Sequence, residues 1–168
     1  GYPLIKSVQG KQIDSDVQQA SVNFRIFGIY GKFEDFSRRF ITSNVYSALT
    51  KGAVTCNQDM LFDYVHVDVL SDFLFQVIVE RRTFEHKTYN FCTGSPVSLV
   101  DLGQEICRQV PRADFVVHKK GLGGEYSGDP TRLDQEFGTL SHPPFKNAIA
   151  ELKLFFEDMI SNGSLEET

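Results

Sequence analysis

Tyr2 and Lys6 stand four residues apart in the opening segment GYPLIKSVQG. On a helix that spacing places both side chains on one face. A free phenol titrates near ~10 and a free ammonium near ~10.4. An ammonium held beside a phenol favours the phenolate and lowers its pKa. A tyrosine tuned in this way can exchange a proton with a hydroxyl or a ketone. A surface tyrosine and lysine one helical turn apart are also a common, inert arrangement. The spacing alone leaves both readings open, and the rest of the chain has to support one of them.

The chain has 168 residues, which suits one domain or one piece of a larger one, and 41% of them are hydrophobic, enough for a real core. The net charge is −5, with lysine and arginine scattered rather than clustered, which argues against a nucleic-acid surface. The apolar stretches are too short to span a bilayer, and no charged-then-apolar leader precedes Tyr2. Cys56, Cys92 and Cys107 are odd in number and lack the spacing of a metal knuckle. They read as reduced, buried thiols of a cytoplasmic protein, with no metal site. The 15 phenylalanines read as core.

Several elements must position such a pair. Residues 3–19 read as a helix with Pro3 near its start. VNFRIFGIYG (22–31) reads as a strand closed by glycine, and 35–51 as a helix with Phe36, Phe40, Ile41, Val45, Ala48 and Leu49 on one face. AVTC (53–56) and FDYVHV (62–67) read as strands around a turn-like NQD. A helix follows over 68–82, striped by Val69, Leu70, Phe73, Leu74, Val77 and Ile78. KTYNFC (87–92) is a strand; Ser98 then starts a helix, with Asp101 three residues on as a partial capping box. DFVVH (114–118) is a strand, GLGG (121–124) a loop, and SHPPF (141–145) leads into a last amphipathic helix before a frayed tail. The alternation gives an α/β class. No strand–glycine-loop–helix opens the sequence to hold a dinucleotide phosphate.

The order of segments resembles the extended short-chain dehydrogenase/reductases, the NAD-dependent nucleotide-sugar epimerases, dehydratases and reductases. In that family the Tyr-x-x-x-Lys helix is followed by a strand reading roughly Arg-x-x-Asn-x-Tyr-Gly, matched by Arg25, Tyr30 and Gly31. RFITSNVYSAL (39–49), FDYVHVDVLSDFL (62–74), TYNFCTGSPVSLVDLGQEI (88–106) and GDPTRLDQEFG (128–138) resemble later family segments, in the right order. The resemblance implies the C-terminal half of such an enzyme. Residues 1–34 would end the Rossmann-type domain, 35–160 would form a small mixed α/β substrate-binding lobe with returning Rossmann elements, and 161–168 a flexible tail. It also implies Tyr2 as general acid/base, Lys6 as the cation that lowers its pKa and binds the nicotinamide ribose, NAD or NADP as cofactor, a nucleotide-sugar substrate and a homodimer as the full-length protein. The implied fragment is inactive alone, because the cofactor loop lies in the other half. A non-catalytic member of the fold that senses dinucleotide or docks a partner is the alternative.

Three positions depart from the family pattern where it commonly grips the nucleotide diphosphate. Phe62 replaces an arginine, Tyr126 or Ser127 stands where another often precedes Gly-Asp, and Gly28 replaces the asparagine. Phenylalanine cannot grip phosphate as an arginine fork does. Arg39, Lys119, Lys120 and Arg132 are the remaining candidates for the anion, and Asn90 reads as securing a turn or lining the sugar cleft. His66 reads as a satisfied boundary histidine, Asp63 and Asp72 as structural hydrogen-bonding groups, and Arg25 as a buried charge tying its strand to its neighbours.

Overall fold

The computed structural model describes residues 21–163. The expected helix over 3–19, with Tyr2 and Lys6 on it, lies outside these residues, as does the end of the tail. The VNFRIFGIYG stretch forms two strands rather than one, β1 (Asn23–Ile26) and β2 (Gly28–Tyr30). They separate because each takes its own parallel partner: β1 pairs with β5 (Thr88–Phe91) and β2 with β4 (Tyr64–His66). Phe27 is the junction. Its N–H donates to the Phe91 carbonyl at 3.3 Å, and the next N–H, of Gly28, donates to the Asp63 carbonyl at 2.9 Å. Glycine is required at 28 by contact: a Cβ there would lie 2.6 Å from the Asp63 carbonyl oxygen and 2.8 Å from the Tyr64 ring.

Helix α1 spans Phe40–Lys51 and ends on Gly52 in the left-handed conformation, as the sequence suggests. It starts five residues later than expected. The 31–39 stretch is turns, because Asp35 Oδ1 accepts from Ser37 N at 3.0 Å and Phe33 adopts a φ of 65°. An aspartate that binds the backbone two residues on competes with helix. The third sheet has the order β6–β3–β7, built from β3 (Ala53–Phe62), β6 (Val97–Ser98) and β7 (Asp114–Tyr126). Strand β3 pairs antiparallel with β6 and parallel with β7. Two expectations are corrected here: NQD lies inside β3, and GLGG lies inside β7 rather than in a loop.

Helix α2 is Val67–Val79, α3 is Leu99–Gln109, α4 is Thr131–Phe137 and α5 is Phe145–Ser161. Ser98 caps α3 by accepting from Asp101 N at 3.1 Å, and Asp59 Oδ1 accepts from Ser98 Oγ at 2.8 Å and from Val100 N at 3.1 Å.

The described residues form two apolar clusters. The larger joins Ile41, Val45 and Ala48 of α1, Val54 of β3, Leu102 and Ile106 of α3, and Ile149, Leu152 and Phe156 of α5. The smaller covers one face of the β1–β5 pair: Tyr89, Phe91, Phe24 and Ile26 pack on Phe73 of α2 and Leu133 of α4. Phe73 meets Phe24, Phe91 and Phe137 at ring distances of 5.7, 5.3 and 5.2 Å. Each such fully buried side chain contributes roughly 1.5–3 kcal/mol. The stripe expected on α2 is only partly buried: Val69, Leu70 and Val77 pack with Phe73, but Leu74 and Ile78 are 37% and 72% exposed, and Phe75 and Val79, outside the expected stripe, are exposed as well. Arg25 is exposed on the other face of β1, so the buried charge expected there is not found. Cys56 and Cys92 are buried free thiols, while Cys107 is half-buried. Among the described residues no helix is long and apolar enough to cross a membrane.

Candidate functional site

Strands β2 and β4 run side by side and both end at one cavity. Its volume is about 480 Å³, and its walls are Ile29, Tyr30 and the loop Gly31–Glu34, Val67, Asp68 and Ser71 of α2, and Glu151 of α5. The first turn of α2 faces it. His66 caps that helix, its Nδ1 accepting from Asp68 N at 3.3 Å. The imidazole is 4% exposed and lies edge-on to the Tyr30 ring at 5.1 Å, which is the satisfied boundary histidine the sequence suggests. Burial, and then the Glu151 carboxylate, push the Tyr30 phenol above its ordinary range, so Tyr30 stays neutral. Glu151 lies 2.5 Å from Lys32 Nζ and 3.9 Å from His66 Nε2. His66, Asp68 and Glu151 place ligand atoms within 4.8 Å of one another, a spacing a cation can use; the Lys32 ammonium already balances Glu151.

The 31–34 loop carries a strained residue. Phe33 is left-handed with φ 65° and 88% exposed, a conformation costing on the order of 1 kcal/mol that clusters at functional sites. Glu34 follows it and turns inward. One carboxylate oxygen accepts from Thr42 Oγ1, and the other lies 3.6 Å from Arg39 Nε. Burial is the main reason that the Glu34 carboxyl stands above its ordinary range. The phenol of Tyr64, also pushed up by burial, feels both Glu34 and Arg39.

The three departures from the family pattern meet in space. Phe62 stacks on Tyr64 at 5.6 Å and meets Tyr126 at 5.6 Å, Tyr126 meets Phe27 at 5.2 Å, and Gly28 gives the Tyr64 ring its room. Phe62, Tyr64, Tyr126 and Phe27 thus form one connected set of rings.

Of the binding residues named from sequence, Arg39 stands beside Glu34 of the cavity wall and is 59% exposed. Asn90 and Arg132 belong to a different set of contacts. Asn90 Nδ2 donates to the Asp129 carbonyl at 3.1 Å, securing the turn before α4, and Arg132 is an exposed residue of α4 whose charge acts on Asp129. Asp63 is wholly buried, and its carboxylate accepts from Thr93 N, Thr93 Oγ1 and Gly94 N at 2.7–2.8 Å, the structural role expected of it. Sequence reasoning missed Lys32, Glu34 and Glu151. The GKFED run directly after the Tyr-Gly end of a strand was a usable signal for the first two; Glu151 sits more than a hundred residues away and gave none.

No family description matches this chain, and no curated protein matches it in sequence. Solved structures match it closely in shape. An NAD-dependent NDP-hexosamine 5,6-dehydratase involved in tunicamycin biosynthesis superposes with a TM-score of 0.74 at 17% identity, over 90% of this chain and 50% of that one. The UDP-N-acetylglucosamine 4-epimerase of Bacillus cereus gives 0.60 at 14% identity, over 87% of this chain and 47% of that one. The Bordetella bronchiseptica enzyme WbmG, in complex with NAD and UDP, gives 0.57 at 21% identity, over 82% and 43%. The chain thus spans about half the length of the structures it matches. Its fold is that of about half of each of these structures.

Proposed function

We propose that this chain is the C-terminal part of an NAD(P)-dependent nucleotide-sugar epimerase, dehydratase or reductase, and that it supplies the sugar-nucleotide cleft and the Tyr2–Lys6 acid/base pair. The observation that carries the reading is the match over 90% of this chain to half of a sugar-nucleotide dehydratase. Two surfaces support it. The β1–β5 sheet has two parallel strands among the described residues, and the apolar outer side of α2 lies open next to it. Parallel sheets are normally buried within larger ones.

The described residues fit the ligand in part. They hold no glycine-rich phosphate loop, and a cavity of about 480 Å³ suits one ring of a ligand rather than a whole dinucleotide. The nicotinamide ring, when bound, supplies hydride transfer. Tyr2 exchanges a proton with a sugar hydroxyl or ketone, Lys6 keeps its phenol acidic enough to do so, and Arg39 offers a cation to the anionic part of the substrate. The reading extends to a homodimer of the full-length protein.

The test is Tyr2→Phe in the full-length protein. Lost turnover with dinucleotide binding kept supports the enzyme, and unchanged function refutes it. Turnover by the 168-residue chain alone would also contradict the division of labour. The rings at Phe62 and Tyr126 favour one second reading, a non-catalytic dinucleotide sensor, because they remove cations a substrate diphosphate would use. That reading expects Tyr2→Phe to be silent.

A further inference from the structure

Among the carboxylates lining the cavity, Glu34 is the one held in place with a buried oxygen that receives no hydrogen bond. Glu151 has the Lys32 ammonium at 2.5 Å, and Asp68 is a mostly exposed side chain beside His66. Glu34 is 12% exposed, and Thr42 Oγ1, itself buried, fixes its Oε2. Its Oε1 is buried and receives no hydrogen bond; the nearest donor atom named for it, Arg39 Nε, is too distant at 3.6 Å. A buried acceptor left in this state costs about 1–3 kcal/mol. Native proteins keep few such groups, and they often mark a site with work to do. The surrounding loop is built to hold this arrangement, with Phe33 in a left-handed conformation before Glu34 and an Asp35–Ser37 turn after it.

We propose that Glu34 is a specificity-determining residue: its Oε1 accepts a hydrogen bond from a hydroxyl or amide N–H of the hexose ring that enters the cavity. The same event releases Arg39 from Glu34 and frees its guanidinium for the anionic group that follows the hexose. This rests on the sugar-nucleotide reading above. Thr42 is then a positioning residue, holding the carboxylate so that one oxygen faces the ligand. Arg39 and Glu34 act as a pair that a ligand separates, so the sugar and the diphosphate are recognised together.

Calorimetric titration of the full-length protein with UDP, UDP-glucose and UDP-N-acetylglucosamine tests this, with thermal unfolding to check each variant. Glu34→Gln keeps the shape but removes the charge and replaces one of the two acceptor oxygens with an NH2 donor. It is expected to weaken the sugar nucleotides about 10- to 100-fold while leaving UDP unchanged or tighter. Arg39→Gln is expected to weaken all three. Thr42→Val, which frees the carboxylate without altering its charge, lowers the preference for sugar nucleotide over UDP by a smaller factor, and it serves if Glu34→Gln does not fold. An unchanged preference in Glu34→Gln, or a wild-type chain that gains nothing from the sugar, overturns the inference. A wild-type chain that binds none of the three removes the sugar-nucleotide reading, and this inference with it.

Discussion

The two apolar clusters differ in how completely they are enclosed. In the larger, helices α1, α3 and α5 close around strand β3, and Ile41, Val45, Leu102, Ile106, Ile149, Leu152 and Phe156 are all at most 2% exposed. In the smaller, α2 and α4 cover one face of the β1–β5 pair, while Phe75, Ile78 and Val79 point away from it into solvent. The first cluster encloses most of the apolar surface of its helices, with Leu154 and Ile160 of α5 left exposed. The second has more than its own partners can cover. Stability and assembly are therefore separable in this chain: one region contributes most of the fold, and the other presents a face to something else. Asp63 joins them, lying between β3 and β4 and binding the Thr93–Gly94 turn after β5.

The strongest way to break this division is to cut the joint. Asp63→Ala leaves three donors without their acceptor in a dry site and should cost about 3–5 kcal/mol, read as a fall in the urea midpoint. A pair of leucines compares the clusters directly, since Leu152 and Leu133 are both 1% exposed. Leu152→Ala should cost about 3–5 kcal/mol, and Leu133→Ala nearer ~2, because the open cluster can collapse into the space. Equal losses would show the second cluster to be as tightly enclosed as the first. Ile78→Asp and Phe75→Asp should change monomer stability by no more than about 0.5 kcal/mol while reducing self-association in light scattering. A loss well above that would place the outer side of α2 in the core.

The smallest effect is in pH. Burial holds the Glu34 carboxyl above its ordinary value of 4.5, so the folded chain keeps that proton more readily than the unfolded one. Its contribution is complete below the ordinary value and is lost as pH rises through the folded one. Glu34→Gln titrates nothing, so its melting temperature should gain on wild type as pH rises above about 4.5. A constant difference across that range would show the carboxyl to be unperturbed.

Much of the architecture was legible from periodicity. The faces of α1, α3 and α5 and the Ser98 cap follow directly from spacing and cap chemistry. The failures have local causes. NQD reads as a turn, yet Gln58 and Asp59 stay in β3 because the register with β7 shifts there, and Asp59 spends its side chain on the start of α3. GLGG reads as a loop, yet a Cβ at Gly123 would lie 3.1 Å from the Asp59 carbonyl, so the glycine is there to admit the bulged neighbour. On α2 the period was right but the width was not: a helix apolar on more than one side does not declare which side faces its own chain. In the site, Arg39 was visible as a spare cation. Its partner Glu34 was hidden because the helix was expected to begin at 35, directly after it, whereas the backbone turns through 31–39 and α1 begins only at Phe40.

Cys92 offers a clock for the junction between the two regions. Its thiol is pushed up to about 12, first by burial and then by Asp63, and its sulfur lies 2.8 Å from where a Cβ on Gly128 would stand. A thiol that stays protonated and enclosed is inert to alkylation while the fold is intact. The rate at which a maleimide or iodoacetamide captures that sulfur therefore counts how often strand β5 parts from the 126–130 segment, with no label added to the protein.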